Sequence, residues 1–361
     1  MRIVQVLPTI AFGDAIGNDV RGLKTVLRDA GYDTDIYARV IGEGLPRGTA
    51  KPVEELRELK SDDIILYHLS TGDVLNRQVM EFTGKKVIIY HNITPADYFR
   101  KYNFQTFKLC RQGLQEAKEL AKAADYAIAD SEYHRQDLLR YGCTCRIDVL
   151  PILIPFEDYR KTPDARTIRK YEDDYTNILF VGRIVPNKKQ EDIIAAFYYY
   201  KKYINPKSRL ILIGTTAGVD GYWSRLEEYA RRLELEDVIF TGAVRFDEIL
   251  AWYRLADVFL CMSEHEGFCV PLLEAMCFDV PVIARDTSAI AGTLGGSGIL
   301  LPDNDPMVAA EVIHKVVSDE AFRQKILKNQ RIRLADFDNE KIRKQFLDIM
   351  ERIRGEGINL A

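Results

Sequence analysis

The stretch ILFVGRIVPNKKQEDII, residues 178–194, sets the architecture of the chain. An unbroken apolar run ends in Gly182-Arg183; Lys188-Lys189 follow, and then a helical pattern. Continuous apolar runs, as opposed to alternating ones, mark parallel strands covered on both faces. The same kind of run recurs at 3–8, 34–38, 63–68, 86–91, 126–130 and 147–151 in the first half of the chain. It recurs again at 209–214, 237–242, 257–262, 281–284 and 298–301. Helical spacing of three and four lies between the runs, as in SRLEEYARRL, residues 224–233. Strand, crossover and strand in repetition predict parallel sheets with helices on both sides.

A chain of 361 residues is too long for one ordinary core. The rhythm breaks between 152 and 176, where Pro155, Pro163 and the charged RKYEDDY read as a hinge. The expected division is therefore a Rossmann-like domain over 1–155, a hinge over 156–175 and a second Rossmann-like domain over 176–335. A helix and tail fill 336–361, with Asp338 as its N-cap. Two doubly wound domains of this kind bind ligands at the loops beyond the carboxyl ends of their strands.

Composition narrows the classes of function. Fifty basic against fifty-four acidic residues leave a net charge of −4, which argues against a nucleic-acid partner. No apolar run reaches the ~20 residues that span a bilayer, and the opening MRIVQVLP reads as a strand and not a leader. Six cysteines without an export signal or zinc spacing are expected to be free thiols in a cytoplasmic protein.

The chemistry concentrates in SEHEGFCVPLLEAM, residues 263–276. Glu266 is expected on the loop after a strand, Pro271 at the start of a helix and Glu274 in its first turn. A helix N-terminus offers N–H groups to an anion, and Gly267 lets backbone approach a ligand. Carboxylates accept hydrogen bonds from neighbouring hydroxyls. Taken singly, each Glu reads as a solvated or dipole-friendly charge; together with Gly, Phe and Pro they read as a nucleotide-sugar site. Arg183 and Lys188, five apart after another strand, can clamp a diphosphate.

These motifs, GR with Lys188 and the downstream EGFCVPLLEAM, resemble glycosyltransferase family 4, retaining enzymes of GT-B fold with a Glu-x7-Glu pattern. The resemblance implies two Rossmann-like domains facing across a cleft and a C-terminal crossover helix. It implies Glu266 near the transferred sugar, Glu274 on the ribose, and Arg183 with Lys188 on the donor diphosphate. Backbone at Gly267, Phe268, Cys269 and Val270 would meet sugar and phosphate, and backbone near Val244 would meet the base. In the first half it places Gly13 and Gly17 on a loop near donor and acceptor, with Asn18 or Asp19 as cap. His91 falls where relatives carry a histidine near the donor sugar, and Ser131 where a serine faces the site. Cys269 stands where the family often has Gly, and VLPILIP lacks the Asn-Gly that many relatives show.

No metal or other cofactor is expected: Arg183, Lys188 and a helix terminus can neutralise a leaving diphosphate. None of the Asp-x-Asp pairs at 33/35, 303/305 and 336/338 follows a strand in the way a metal-binding transferase requires, and Asp303/Asp305 reads as a turn and cap. The expected activity is transfer of a hexose from a UDP- or GDP-sugar to a glycan or lipid-linked acceptor, as in surface polysaccharide or glycolipid synthesis. A nucleotide-sugar epimerase and a non-catalytic binding subunit are the alternatives. Residues 98–112 interleave Phe99, Tyr102, Phe104 and Phe107 with Arg and Lys. They read as a packed helix with a basic edge, or as a contact with the inner face of a membrane. Oligomeric state leaves no mark.

Overall fold

The computed structural model describes residues 1–11, 13–216 and 218–355. The chain forms two compact units, one from Met1–Ala96, Gln105–Ile154 and the chain from Phe337 onward, the other from Asp97–Phe104 and Pro155–Asp336.

The first unit is built on strands β1 (Arg2–Ile10), β2 (Asp33–Ile41), β3 (Lys51–Pro52), β4 (Ile64–Leu69), β5 (Lys85–Tyr90), β6 (Tyr126–Ala129) and β7 (Ile147–Val149). Helices α1 (Ala15–Asp29), α2 (Leu75–Glu81), α3 (Phe104–Ala123) and α4 (Glu132–Arg140) connect them. The second unit carries β8 (Thr176–Val181), β9 (Ser208–Ile213), β10 (Val238–Gly242), β11 (Val258–Cys261), β12 (Val282–Arg285) and β13 (Ile299–Leu301). Its helices are α5 (Ala165–Tyr171), α6 (Gln190–Tyr199), α7 (Asp220–Arg232), α8 (Phe246–Leu255), α9 (Val270–Cys277), α10 (Ile290–Leu294), α11 (Pro306–Ser318) and α12 (Glu320–Leu334). Helix α13 (Asn339–Gly355) ends the description.

Every strand expected from the apolar runs is present; only β3, two residues long, lay outside them. The sheet orders are β3-β2-β1-β4-β5-β6-β7 and β10-β9-β8-β11-β12-β13, with all pairs parallel. Strand order reverses direction between β1 and β4 and between β8 and β11, the switch points at which doubly wound sheets bind ligands. Burial explains the apolar runs: every residue of β4 and β9 is buried. Arg209 tolerates its place in β9 because its guanidinium reaches Asp173 at 2.5 Å and lies 4.5 Å from the Tyr175 ring centroid.

The segment expected as a hinge, 156–175, belongs to the second unit and is structured. A 3-10 turn at Phe156–Arg160 precedes α5, whose N-cap Asp164 accepts from Thr167 N at 2.7 Å. The Asp164 amide also donates to Asp247 O at 2.9 Å. Its prolines and charges serve local turns and caps, which a composition reading cannot tell from a linker. Asp338 caps α13 as expected, its Oδ1 accepting from Glu340 N and Lys341 N at 3.0 and 3.2 Å. Residues 356–361 of the expected tail lie outside the described residues.

Helix α13 is part of the first unit's core. Ile342, Phe346, Ile349, Met350 and Ile353 form one apolar stripe against Leu23, Val26 and Leu27 of α1 and Ile3, Leu66 and Val87 of the sheet. Lys85 Nζ donates to Ile353 O at 2.7 Å, where a cation meets the negative end of the helix. Phe346 is fully buried, so Phe346→Ala is expected to cost about 3–5 kcal/mol. Hydrogen exchange should show β1 and β4 amides opening faster while β8 and β11 keep their protection.

Candidate functional site

In the second unit the loops after β8 and β11 flank the switch point and are tied together. After β8, Gly182 leads to Arg183 and a 3-10 turn at Pro186–Lys188. Gly214, at the end of β9, must be glycine: a Cβ there would sit 1.8 Å from Gly182 O. Asn187 Nδ2 donates to His265 O at 3.0 Å, and Glu264 N donates to Asn187 O at 2.8 Å. These bonds put Lys188 against Glu266, and the ammonium and carboxylate form a direct ion pair. Burial alone would lower the Lys188 pKa, but the Glu266 charge outweighs it and holds the ammonium above its ordinary value. His265, next to Glu266 in the chain, is pushed down to about 4 by burial and stays neutral. Lys189 and Arg285 close the other side on Glu264, at 3.6 and 2.9 Å. Arg183 is exposed on the same loop.

Helix α9 starts at Val270, with Pro271 in its first turn. Cys269 precedes it in the left-handed region, φ 70°, and no side chain caps the helix. Gly267, Phe268 and Cys269 are buried, and Val270 is half-buried. Glu274 is not in the first turn as expected but one turn further in, half-buried, where Tyr159 OH donates to Oε1 at 2.9 Å and Tyr253 OH to Oε2 at 2.7 Å. Burial raises its pKa and the two hydroxyls partly oppose the rise. Val244 is half-buried between β10 and α8.

In the first unit, the loop after β1 is shaped by Asp14 and not by Asn18 or Asp19. Asp14 caps α1 through Gly17 N and accepts from Ala11 N at 3.2 Å. Gly13 takes φ 77°, and a Cβ on Gly17 would lie 2.6 Å from Ala11 O. Asn18 instead meets Arg21, and Asp19 is buried with its Oδ1 accepting from Leu153 N at 2.8 Å. Burial pushes the Asp19 pKa up to about 7. His91, just after β5, is buried with Nδ1 2.9 Å from Asp130 and Nε2 2.7 Å from His68 Nδ1. Ser131 caps α4 through His134 N at 3.2 Å. Gln5, His68 and Asp130 are additions to the expected set; the one signal in the sequence for Gln5 and His68 is a polar residue inside an apolar strand.

One carboxylate of each Asp-x-Asp pair is committed elsewhere. Asp35 pairs with Lys24 and Lys51 at 2.7 and 2.5 Å, Asp305 caps α11 and Asp336 meets Arg333. Among the described residues, two groups of metal-capable side chains lie together: Asp19 with His68 and His91, and Cys261 with Glu266 and Cys269. In the first a ring-to-ring hydrogen bond takes up the facing nitrogens; in the second the Lys188 ammonium already holds the carboxylate. The six cysteines are free thiols, with Cys143 and Cys145 Sγ atoms 3.3 Å apart. In the segment 98–112, Phe99 and Phe107 are buried and Phe104 is 60% exposed, while Tyr102 packs edge-on to Tyr222. No helix among the described residues is long and apolar enough to cross a membrane.

Residues 162–333 match the family model described as glycosyl transferases group 1. A D-inositol 3-phosphate glycosyltransferase from Kineococcus radiotolerans is 28% identical over 226 residues, 57% of this chain and 52% of that protein. The chain spans about half the length of the curated relatives it matches. Sucrose-phosphate synthase from Thermosynechococcus elongatus superimposes with a TM-score of 0.75 at 19% identity, covering 98% of this chain and 99% of that one. HepE from Anabaena, in complex with UDP and glucose, does so with a TM-score of 0.71 at 18% identity, covering 98% and 100%. The fold is GT-B.

The Lys188–Glu266 pair should be strongly coupled. Lys188→Met is expected to destabilise the second unit by about 3–5 kcal/mol, because it leaves a buried carboxylate alone. Adding Glu266→Gln should recover most of that loss in chemical denaturation.

Proposed function

We propose that this protein is a glycosyltransferase that moves a hexose from a nucleotide-sugar donor to a glycan or lipid-linked acceptor, with retention and without a metal. The observation that carries the reading is the ion-paired Lys188–Glu266 set between Arg183 and the start of α9, at the β8/β11 switch point. The match of residues 162–333 to a glycosyl transferase family model supports it. So do the UDP and glucose held by HepE, a protein of the same fold.

Arg183 and Lys188 would hold the donor diphosphate. One Lys188 N–H serves Glu266, leaving two of its three donors for phosphate oxygens. The α9 N-terminus adds partial positive charge where phosphate charge grows as the bond breaks. Backbone at Gly267, Phe268, Cys269 and Val270 would contact sugar and phosphate, and backbone at Val244 the base. Each Glu274 oxygen accepts from a tyrosine and keeps lone-pair capacity for a ribose hydroxyl. Glu266, fixed by Lys188 and by its own N–H to Ser288 Oγ at 2.8 Å, would orient the sugar and not attack it. The leaving phosphate oxygen would take the acceptor's proton through an oxocarbenium-like state. On this mechanism, Glu266→Gln should lower turnover, with intact-protein mass spectrometry finding no glycosyl adduct; an adduct on Glu266 in the wild type would refute front-face attack.

The reading is tested by calorimetric titration with UDP, GDP and ADP in the presence of a chelator. One of the three is expected to bind in the micromolar range, and Arg183→Ala to weaken it about tenfold or more, the worth of a charge-assisted bond. Absence of binding by all three nucleotides would sink the reading.

A further inference from the structure

Four side chains in the first unit form a hydrogen-bonded row that crosses the sheet, one from each of four neighbouring strands or the residue just beyond. Gln5 lies in β1, His68 in β4, His91 just after β5 and Asp130 just after β6, following the order β1-β4-β5-β6. The links are Gln5 Oε1 to His68 Nε2 at 3.0 Å, His68 Nδ1 to His91 Nε2 at 2.7 Å and His91 Nδ1 to Asp130 Oδ2 at 2.9 Å. All four residues are buried, at 0%, 0%, 8% and 5% exposure.

The direction of each bond follows from one end. Gln5 Nε2 donates to Val20 O at 3.0 Å, which turns Oε1 toward His68. An amide oxygen only accepts, so His68 Nε2 carries a proton. His68 is fully buried, with burial and the nearby His91 holding its pKa well below the ordinary value, so the ring is neutral and Nδ1 is bare. A bare nitrogen can only accept, so the 2.7 Å bond needs a proton on His91 Nε2. With Asp130 Oδ2 as the acceptor of the 2.9 Å bond, His91 Nδ1 carries a proton as well. Two protonated nitrogens make an imidazolium.

We propose that His91 is a fixed imidazolium and a positioning residue: its charge and its two N–H bonds hold the row and the β1–α1 loop, and neither nitrogen is offered to a sugar. This revises the role near the donor sugar expected of His91 and stands apart from the nucleotide-sugar reading of the second unit. The charged groups around the ring agree. Asp130, Asp19 and Asp14 all face His91, and their charges outweigh the burial that would lower its pKa. A carboxylate oxygen of Asp19 lies within 4.8 Å of a ring nitrogen of each histidine, and Asp14 is the cap of α1. Moving the proton to His68 would place the cation beside a neutral amide and out of direct contact with the Asp130 carboxylate that His91 bonds. A cation at His91 is the arrangement that leaves each of the four polar groups with a partner of the right kind.

The test is nitrogen NMR of the full chain labelled at its five histidines. At about pH 8, above the ordinary histidine pKa, His91 should show two protonated-type nitrogens and His68 one protonated and one bare. His91→Asn identifies the signals. A bare nitrogen on His91 in the wild type would overturn the proposal. Gln5→Leu removes the acceptor that sets the direction of the row, and should lower the proton affinity of His91 by about tenfold or more. An unchanged His91 titration in a folded Gln5→Leu protein also counts against it. Should that variant not fold, Asp130→Asn keeps the shape, removes the charge and carries the same expectation.

Discussion

Every strand pair in both sheets is parallel, and this one constraint organises the rest. Parallel neighbours require crossovers, so each strand must be followed by enough chain to return to the opposite edge. All carboxyl ends then lie on one edge of a sheet, and the loops that leave them collect there. Arg183, Lys188, Glu266 and Val244 owe their shared edge to this rule, as do Gly13, His91 and Asp130 in the other sheet. Where the order reverses, adjacent loops run to opposite sides and leave room, and the polar residues of each unit gather around those points.

The two units solve the problem of buried charge in different ways. In the second, a single ammonium and a single carboxylate face each other, and the loops that bring them are fastened by the Asn187 side chain and backbone. Such a pair is exchangeable: an incoming anion can share the ammonium. In the first, charge is spread along a row of directional bonds in which all four ring nitrogens of the two histidines are taken. A saturated row resists rearrangement. The contrast assigns the adaptable chemistry to the Lys188 loop and rigidity to the His91 row.

The strands were legible because parallel strands buried on both faces leave unbroken apolar runs, and the α13 cap because Asp338 stands directly before the helical pattern that opens at Asn339. Other features depended on choices that spacing cannot make. Asp14, Asn18 and Asp19 are all capping types within six residues, and only the approach of Ala11 and Gly17 selects Asp14. Pro271 marked the start of α9 correctly, yet Glu274, three residues from it, falls in the second turn because the helix begins at Val270. The prolines of 156–175 suggested a linker, whereas Asp164 and its amide bind that segment into the second unit. Gln5 and His68 escaped notice because one polar residue barely alters the apolar signature of a strand.

The apolar stripe of α13 completes the core built by residues from the other end of the chain. During synthesis β1, β4 and α1 emerge long before Phe346 and Met350, and the surface those residues cover stays open in the interval. The second unit, continuous from Pro155 to Asp336 except for a short contributed segment, can bury its own core while that gap persists. Vectorial synthesis therefore runs against the order of the sequence: the half that begins first is the half that finishes last, and a chain stopped before residue 337 would present an unclosed sheet to its surroundings.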